Sequence, residues 1–179
     1  MEHHTHEGRA PSHGQKVGIG TLAVTALYER LLAATEAPFD PVDAIRRWPS
    51  PEQWSEQAHK LFDDPTLQDL AAQETMAKLP HDDDLSRQLS QLRERWPELH
   101  HRLKEQLVPF TDLRSMLCAV GAPVDAPAIG IDSDRLRRSF LKALMIRRRF
   151  TILDLTARIG KFDQYLDELF SPAGSGCLA

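Results

Sequence analysis

His13 and Lys16 stand three residues apart in the run Ser12-His13-Gly14-Gln15-Lys16-Val17-Gly18-Ile19-Gly20-Thr21, and both side chains can do chemistry. An imidazole can exchange a proton near neutral pH or ligate a metal, and an ammonium can hold an anionic group. A spacing of three puts them on roughly one face of a helix. A single histidine is not a metal site, because catalytic zinc generally takes three protein ligands. From spacing alone, His13 therefore reads as a helix-start residue beside a capping box made by Ser12 and Gln15, and Lys16 as a solvated cation. Gly14, Gly18 and Gly20 share this opening. Each costs about 1 kcal/mol in a helix interior, so three together suggest that a substrate, a metal or a neighbouring helix approaches the backbone.

Other clusters carry less. His3, His4 and His6 have the composition of a metal site or of an affinity tag, but Thr5 and Glu7 interrupt the run and no cysteine or carboxylate framework surrounds it. Asp82, Asp83 and Asp84 precede the apolar series Leu85, Leu89, Leu92 and read as a helix cap and charged turn. Arg135, Arg137, Arg138 and the triplet Arg147-Arg148-Arg149 read as solvated faces with i,i+4 partners. Cys118 and Cys177 form no CxxC pair, which suits a reducing, cytoplasmic setting. A net charge of −4 argues against a nucleic-acid partner. No run approaches the roughly 18 apolar residues of a membrane span, so no membrane partner is expected.

The elements that must position these residues are helical throughout, and the fold class expected is all-α. At 179 residues, 41% of them hydrophobic, the chain can bury about 70% of its unfolded surface in one core. The first helix is expected from His13 to about Glu36 with a stripe of Val17, Val24, Leu27, Tyr28, Leu31 and Leu32. Asp40 caps a short helix ending near Trp48, and Ser50 or Pro51 begins the next, over Glu52 to Phe62. Asp64-Pro65 opens a helix with Leu67, Leu70, Ala71, Thr75 and Leu79 on one side. A long helix after residue 84 is expected to be interrupted or restarted at Pro97. Pro109 introduces another, ending at Gly121. An irregular connector covers residues 124–131, Asp132 or Ser133 caps the helix of Leu136, Phe140, Leu141, Leu144 and Met145, and two short helices meet at Gly160. The tail after Phe170 lacks periodicity and is expected to be mobile.

The opening run, continued through Leu22 to Leu32, resembles the helical domain of the iron-containing alcohol dehydrogenase and dehydroquinate synthase superfamily, and most of all the sn-glycerol-1-phosphate dehydrogenases. Arg149-Phe150-Thr151-Ile152-Leu153-Asp154 is similar to a late packing segment of the same enzymes, and Gly130-Ile131 adds a weaker likeness.

The resemblance implies a C-terminal helical bundle that binds metal and substrate, with residues 1–12 a linker, 13–170 the domain and 171–179 a tail. His13 would be a ligand to a divalent metal, zinc foremost with iron or nickel as alternatives, and Lys16 would lie near the phosphate of a small phosphorylated substrate. The activity implied is NAD- or NADP-dependent interconversion of dihydroxyacetone phosphate and sn-glycerol 1-phosphate. The family's dinucleotide-binding domain, an aspartate and a first histidine ligand have no counterpart here, so the chain is expected to be inactive alone and to have no catalytic or cofactor-binding residue of its own. His3, His4 and His6 would then fall between two ligand histidines, the first upstream of Met1. Another alcohol or polyol dehydrogenase, a dehydroquinate synthase-like enzyme, or a non-catalytic helical interaction module are the alternatives. Assembly into a homo-oligomer is left open.

Overall fold

Helix-starting residues punctuate the chain, and the backbone follows them. A computed structural model describes residues 10–171, without the side chain of residue 82. The clusters at His3, His4 and His6 and the tail from residue 172 lie outside the described residues. Among those described there are nine α-helices, one 3-10 turn and no strand. The all-α expectation holds, and no described helix is long and apolar enough to cross a membrane.

The helices are α1 (His13–Leu31), α2 (Pro41–Arg47), α3 (Pro51–Leu61), α4 (Pro65–Met76), α5 (Asp82–Gln106), α6 (Phe110–Ala119), α7 (Ser133–Met145), α8 (Ile152–Arg158) and α9 (Phe162–Leu169). Asp40, Ser50, Asp64, Asp132 and Thr151 each accept a hydrogen bond from a first-turn N–H, satisfying donors that the helix itself leaves unpaired. Pro at the first position of α2, α3 and α4 contributes a preset φ and no orphan N–H.

α1 is the hub. Leu22, Ala23, Ala26, Leu27 and Leu31 are all buried, and the helix packs on α6, α8 and α9. That arrangement departs from a one-sided stripe. Burial runs around much of the helix after Ile19, whereas Val17 is 49% exposed. α3 and α4 pack on each other and on α7, with Ala58 and Ala71 buried and the Thr75 hydroxyl donating to the Met145 carbonyl at 3.2 Å, while Leu67 and Leu70 of the expected stripe stay exposed.

Three boundaries differ from the sequence expectation. α1 stops at Leu31, five residues before Glu36, and carbonyls of the residues that follow it find partners on α5. Trp96 Nε1 donates to the Thr35 carbonyl at 3.1 Å, and the buried His100 ring bonds the Leu32 carbonyl at 3.1 Å. α5 runs through Pro97 without interruption. Pro97 and Arg93, whose carbonyl loses its helical partner, both lie on exposed residues, and buried Trp96 and His100 hold the two sides in line. The charged opening of α5 starts at His81, which makes no side-chain cap bond. Asp83 and Asp84 sit in the first turn, where carboxylates favour the helix dipole, and Asp84 pairs with Arg87. The connector at 124–131 contains a 3-10 turn, Pro127–Ile129, closed by Gly130 at a φ of +71°.

Candidate functional site

Ser12 and Gln15 build the start of α1. Ser12 Oγ accepts from the Gln15 N–H at 3.2 Å, and Gln15 Oε1 accepts from the Ser12 N–H at 2.8 Å. This reciprocal pair is the capping box expected from the spacing, and it relieves His13 of any capping duty. His13 occupies the first helical position with an exposed side chain that has no hydrogen-bond partner among the described residues. Lys16 follows one turn later, also exposed and without a carboxylate partner among those residues.

His13, Lys16, Val17 and Gly20 fall at i, i+3, i+4 and i+7, so they share one face. All four are exposed. The glycines divide on this geometry. A Cβ on Gly18 would meet the Leu117 methyls at 3.8 Å and 3.9 Å, so that glycine faces α6. A Cβ on Gly20 would meet nothing within 4 Å, and one on Gly14 only Ser12 Oγ at 4.0 Å. Close packing against a helix thus accounts for one of the three, and of the other two Gly20 leaves bare backbone on the face of His13. No acidic residue lies in the first turn of α1, so the positive end of its dipole is not neutralised there.

No group of three His, Cys, Asp or Glu side chains suited to a metal ion occurs among the described residues. His13 is compatible with the place of one ligand, and the described residues do not form a metal site around it. Lys16 is placed on the same face, and no second lysine or arginine accompanies it there among the described residues.

Two of the late arginines are held by tertiary partners instead of by neighbours one turn away. Arg137 pairs with Asp167 of α9 and Arg148 with Glu74 of α4, across 30 and 74 residues of chain. Arg135, Arg138, Arg147 and Arg149 are exposed. Cys118 is a free, exposed thiol.

The segment from Arg149 to Asp154 is a packing element, and its chemistry is specific. Thr151 caps α8, and its N–H and Oγ both donate to Asp154 Oδ2, at 2.8 Å and 2.9 Å. The other carboxylate oxygen meets Lys78 Nζ at 2.7 Å, in a pair that is 10% and 6% exposed. Lys78 also donates to the Leu144 carbonyl.

Four residues on, Arg158 Nη2 donates to the Lys78 carbonyl at 2.9 Å, Nη1 donates to Gln88, and the guanidinium lies 4.7 Å from the Phe150 ring centroid. Burial pulls the Arg158 pKa below its ordinary value, with nearby Asp154 opposing. Arg158 borders an apolar cavity between α1, α5 and α8 that sequence reasoning missed. Its walls come from segments far apart in the chain, and no local pattern marks them.

Comparison with family models, with curated proteins and with solved structures returned no match.

Proposed function

We propose that this chain is the helical metal- and substrate-binding part of an NAD(P)-dependent dehydrogenase of the sn-glycerol-1-phosphate dehydrogenase kind. His13 serves as one metal ligand and Lys16 steadies the substrate phosphate. The remaining ligands and the dinucleotide site come from outside the described residues.

The observation that carries the reading is the bare opening of α1. Ser12 and Gln15 cap the helix, which leaves the His13 imidazole without any structural partner among the described residues. Gly20 then keeps the backbone on its face open at a cost of about 1 kcal/mol in helix propensity. A helix that served only to fill the core would gain by alanine at Gly20.

A metal bound at such a site supplies Lewis-acid stabilisation of a substrate alkoxide. What this chain's residues contribute is more limited. His13 presents an imidazole from a capped helix start, so its backbone is held by the Ser12–Gln15 box. Lys16, three residues on, offers a cation to a phosphate that also meets the uncompensated positive end of α1.

The second reading is a non-catalytic helical interaction module. Val17 on α1, Met116 on α6 and Val120 just after α6 favour it, being 49%, 58% and 78% exposed at two helices that pack together. One experiment separates the two. The chain is joined behind the dinucleotide-binding domain of an sn-glycerol-1-phosphate dehydrogenase, and dihydroxyacetone phosphate-dependent oxidation of NADH or NADPH is followed. The dehydrogenase reading expects metal-dependent turnover. A folded fusion that binds the dinucleotide and shows no turnover with added zinc, iron or nickel would contradict it.

A further inference from the structure

We infer that the cavity between α1, α5 and α8 is a binding site for a medium-chain alkyl carboxylate, its tail among the α5 leucines and its headgroup on Arg158. The cavity has a volume of about 440 Å³, within the range of small-molecule sites. Leu92, Leu99 and Leu103 of α5 and Leu155 of α8 supply an aliphatic wall, and Tyr28 of α1 adds its ring. No lining residue is acidic, and Arg158 is the lining residue that carries a charge.

The state of that guanidinium determines the class of ligand. A guanidinium has five N–H donors, and Arg158 spends two on uncharged oxygens, the Lys78 carbonyl and the Gln88 amide. No carboxylate lies within salt-bridge distance of it among the described residues, because Asp154, the nearby acid, is held by Lys78 and Thr151. The guanidinium carbon also lies over the Phe150 ring, 4.7 Å from its centroid. A carboxylate can accept from two of the three remaining donors and supplies the opposite charge, whereas an alcohol supplies one neutral acceptor and an ammonium none. An apolar chamber with one under-used, partly buried cation at its border is therefore complementary to an amphiphile whose polar end is a carboxylate.

This site is independent of the face proposed for metal and phosphate. Tyr28 follows His13 by fifteen residues on one helix, a rise of about 22 Å. A ligand in the cavity cannot also touch the start of α1 unless it spans that length.

The test is calorimetric titration of the full chain with sodium decanoate, decan-1-ol and decyltrimethylammonium, each below its micelle concentration. The expected result is one decanoate per chain, bound at least tenfold more tightly than the alcohol or the ammonium. Leu99→Glu, on the half-buried wall, is expected to abolish decanoate binding while keeping the helical circular dichroism spectrum. Arg158→Gln is expected to bring decanoate down to the affinity of the alcohol. Because Arg158 also holds the Lys78 carbonyl, the headgroup series and Leu99→Glu carry the test if that variant does not fold. No heat with millimolar decanoate, equal affinity for the three headgroups, or full decanoate binding by folded Leu99→Glu would each overturn the inference.

Discussion

Lys78 Nζ lies 2.7 Å from Asp154 Oδ1, and this buried ion pair ties the end of α4 to the start of α8. Every oxygen of the carboxylate is engaged, one by Lys78 and the other by the N–H and hydroxyl of Thr151. A charge buried this deeply persists only with such partners, since the cost of taking it out of water is several kcal/mol.

The first prediction follows from that pair. Lys78→Met strands a buried carboxylate and should cost about 3–5 kcal/mol in urea denaturation. Asp154→Leu strands the ammonium and also removes the Asp154 half of the α8 capping box, so it should cost at least as much. The double variant should be clearly more stable than the sum of the two losses implies. Simple additivity would show that the two charges do not depend on each other.

Arg30 and Glu168 give a pH dependence. Their ion pair joins α1 to α9, and the hydrogen bond from Arg30 holds the Glu168 carboxyl below its usual range, while Gln164 and Lys161 push the same way. Arg30 in turn is raised, chiefly by its hydrogen bond to Glu168. A depressed carboxylate stabilises the fold above its unfolded pKa, about 4.3, and that stability disappears as pH falls through the lower folded value. Both side chains are about one-third exposed, so the contribution is no more than about 1 kcal/mol. Glu168→Gln should therefore lower the melting temperature slightly at pH 7 and leave it close to wild type near pH 3. A difference that grows on acidification would contradict the assignment.

Caps were legible from the sequence because they are local. Asp40, Ser50, Asp64 and Asp132 each sit within three residues of the N–H groups they accept from, and Ser12 shows its partner Gln15 at fixed spacing. The early end of α1 was not legible, since Trp96 and His100, which take the carbonyls of Thr35 and Leu32 just beyond it, are 61 and 68 residues away from them. Pro97 misled for the same reason. Its local cost is overridden by the anchoring of Trp96 and His100 on one buried face. Arg148 reads as a solvated charge until Glu74 is brought beside it. The cavity at Arg158 depends on three helices meeting, which no spacing within one of them reveals.

Capping and ligation make opposite demands at the start of α1. Ser12→Ala removes the acceptor for the Gln15 N–H and should cost about 1 kcal/mol by thermal or chemical unfolding. His13→Ala removes an exposed ring with no partner among the described residues and should change stability by less than about 0.5 kcal/mol. A larger loss for His13→Ala than for Ser12→Ala would make His13 structural.

Dinucleotide binding is expected to be absent from the chain by itself. A pyrophosphate cradle of the Rossmann kind needs a strand leading through a glycine-rich turn into a helix, and the described residues contain no strand. Calorimetry with NADH and NADPH should register no binding. Micromolar affinity for either would require a site on this chain that the proposal does not contain.

The measurement that bears most directly on the proposed function is the metal content of the fusion carrying a dinucleotide-binding domain, determined for wild type, Ser12→Ala and His13→Ala. The proposal expects about one divalent ion per wild-type and Ser12→Ala molecule, on the reasoning that capping does not touch the ion. For His13→Ala it expects metal content and turnover to fall by orders of magnitude in a protein that remains folded. Full occupancy and near-normal rates in His13→Ala would contradict it and leave His13 as no more than the first residue of a helix.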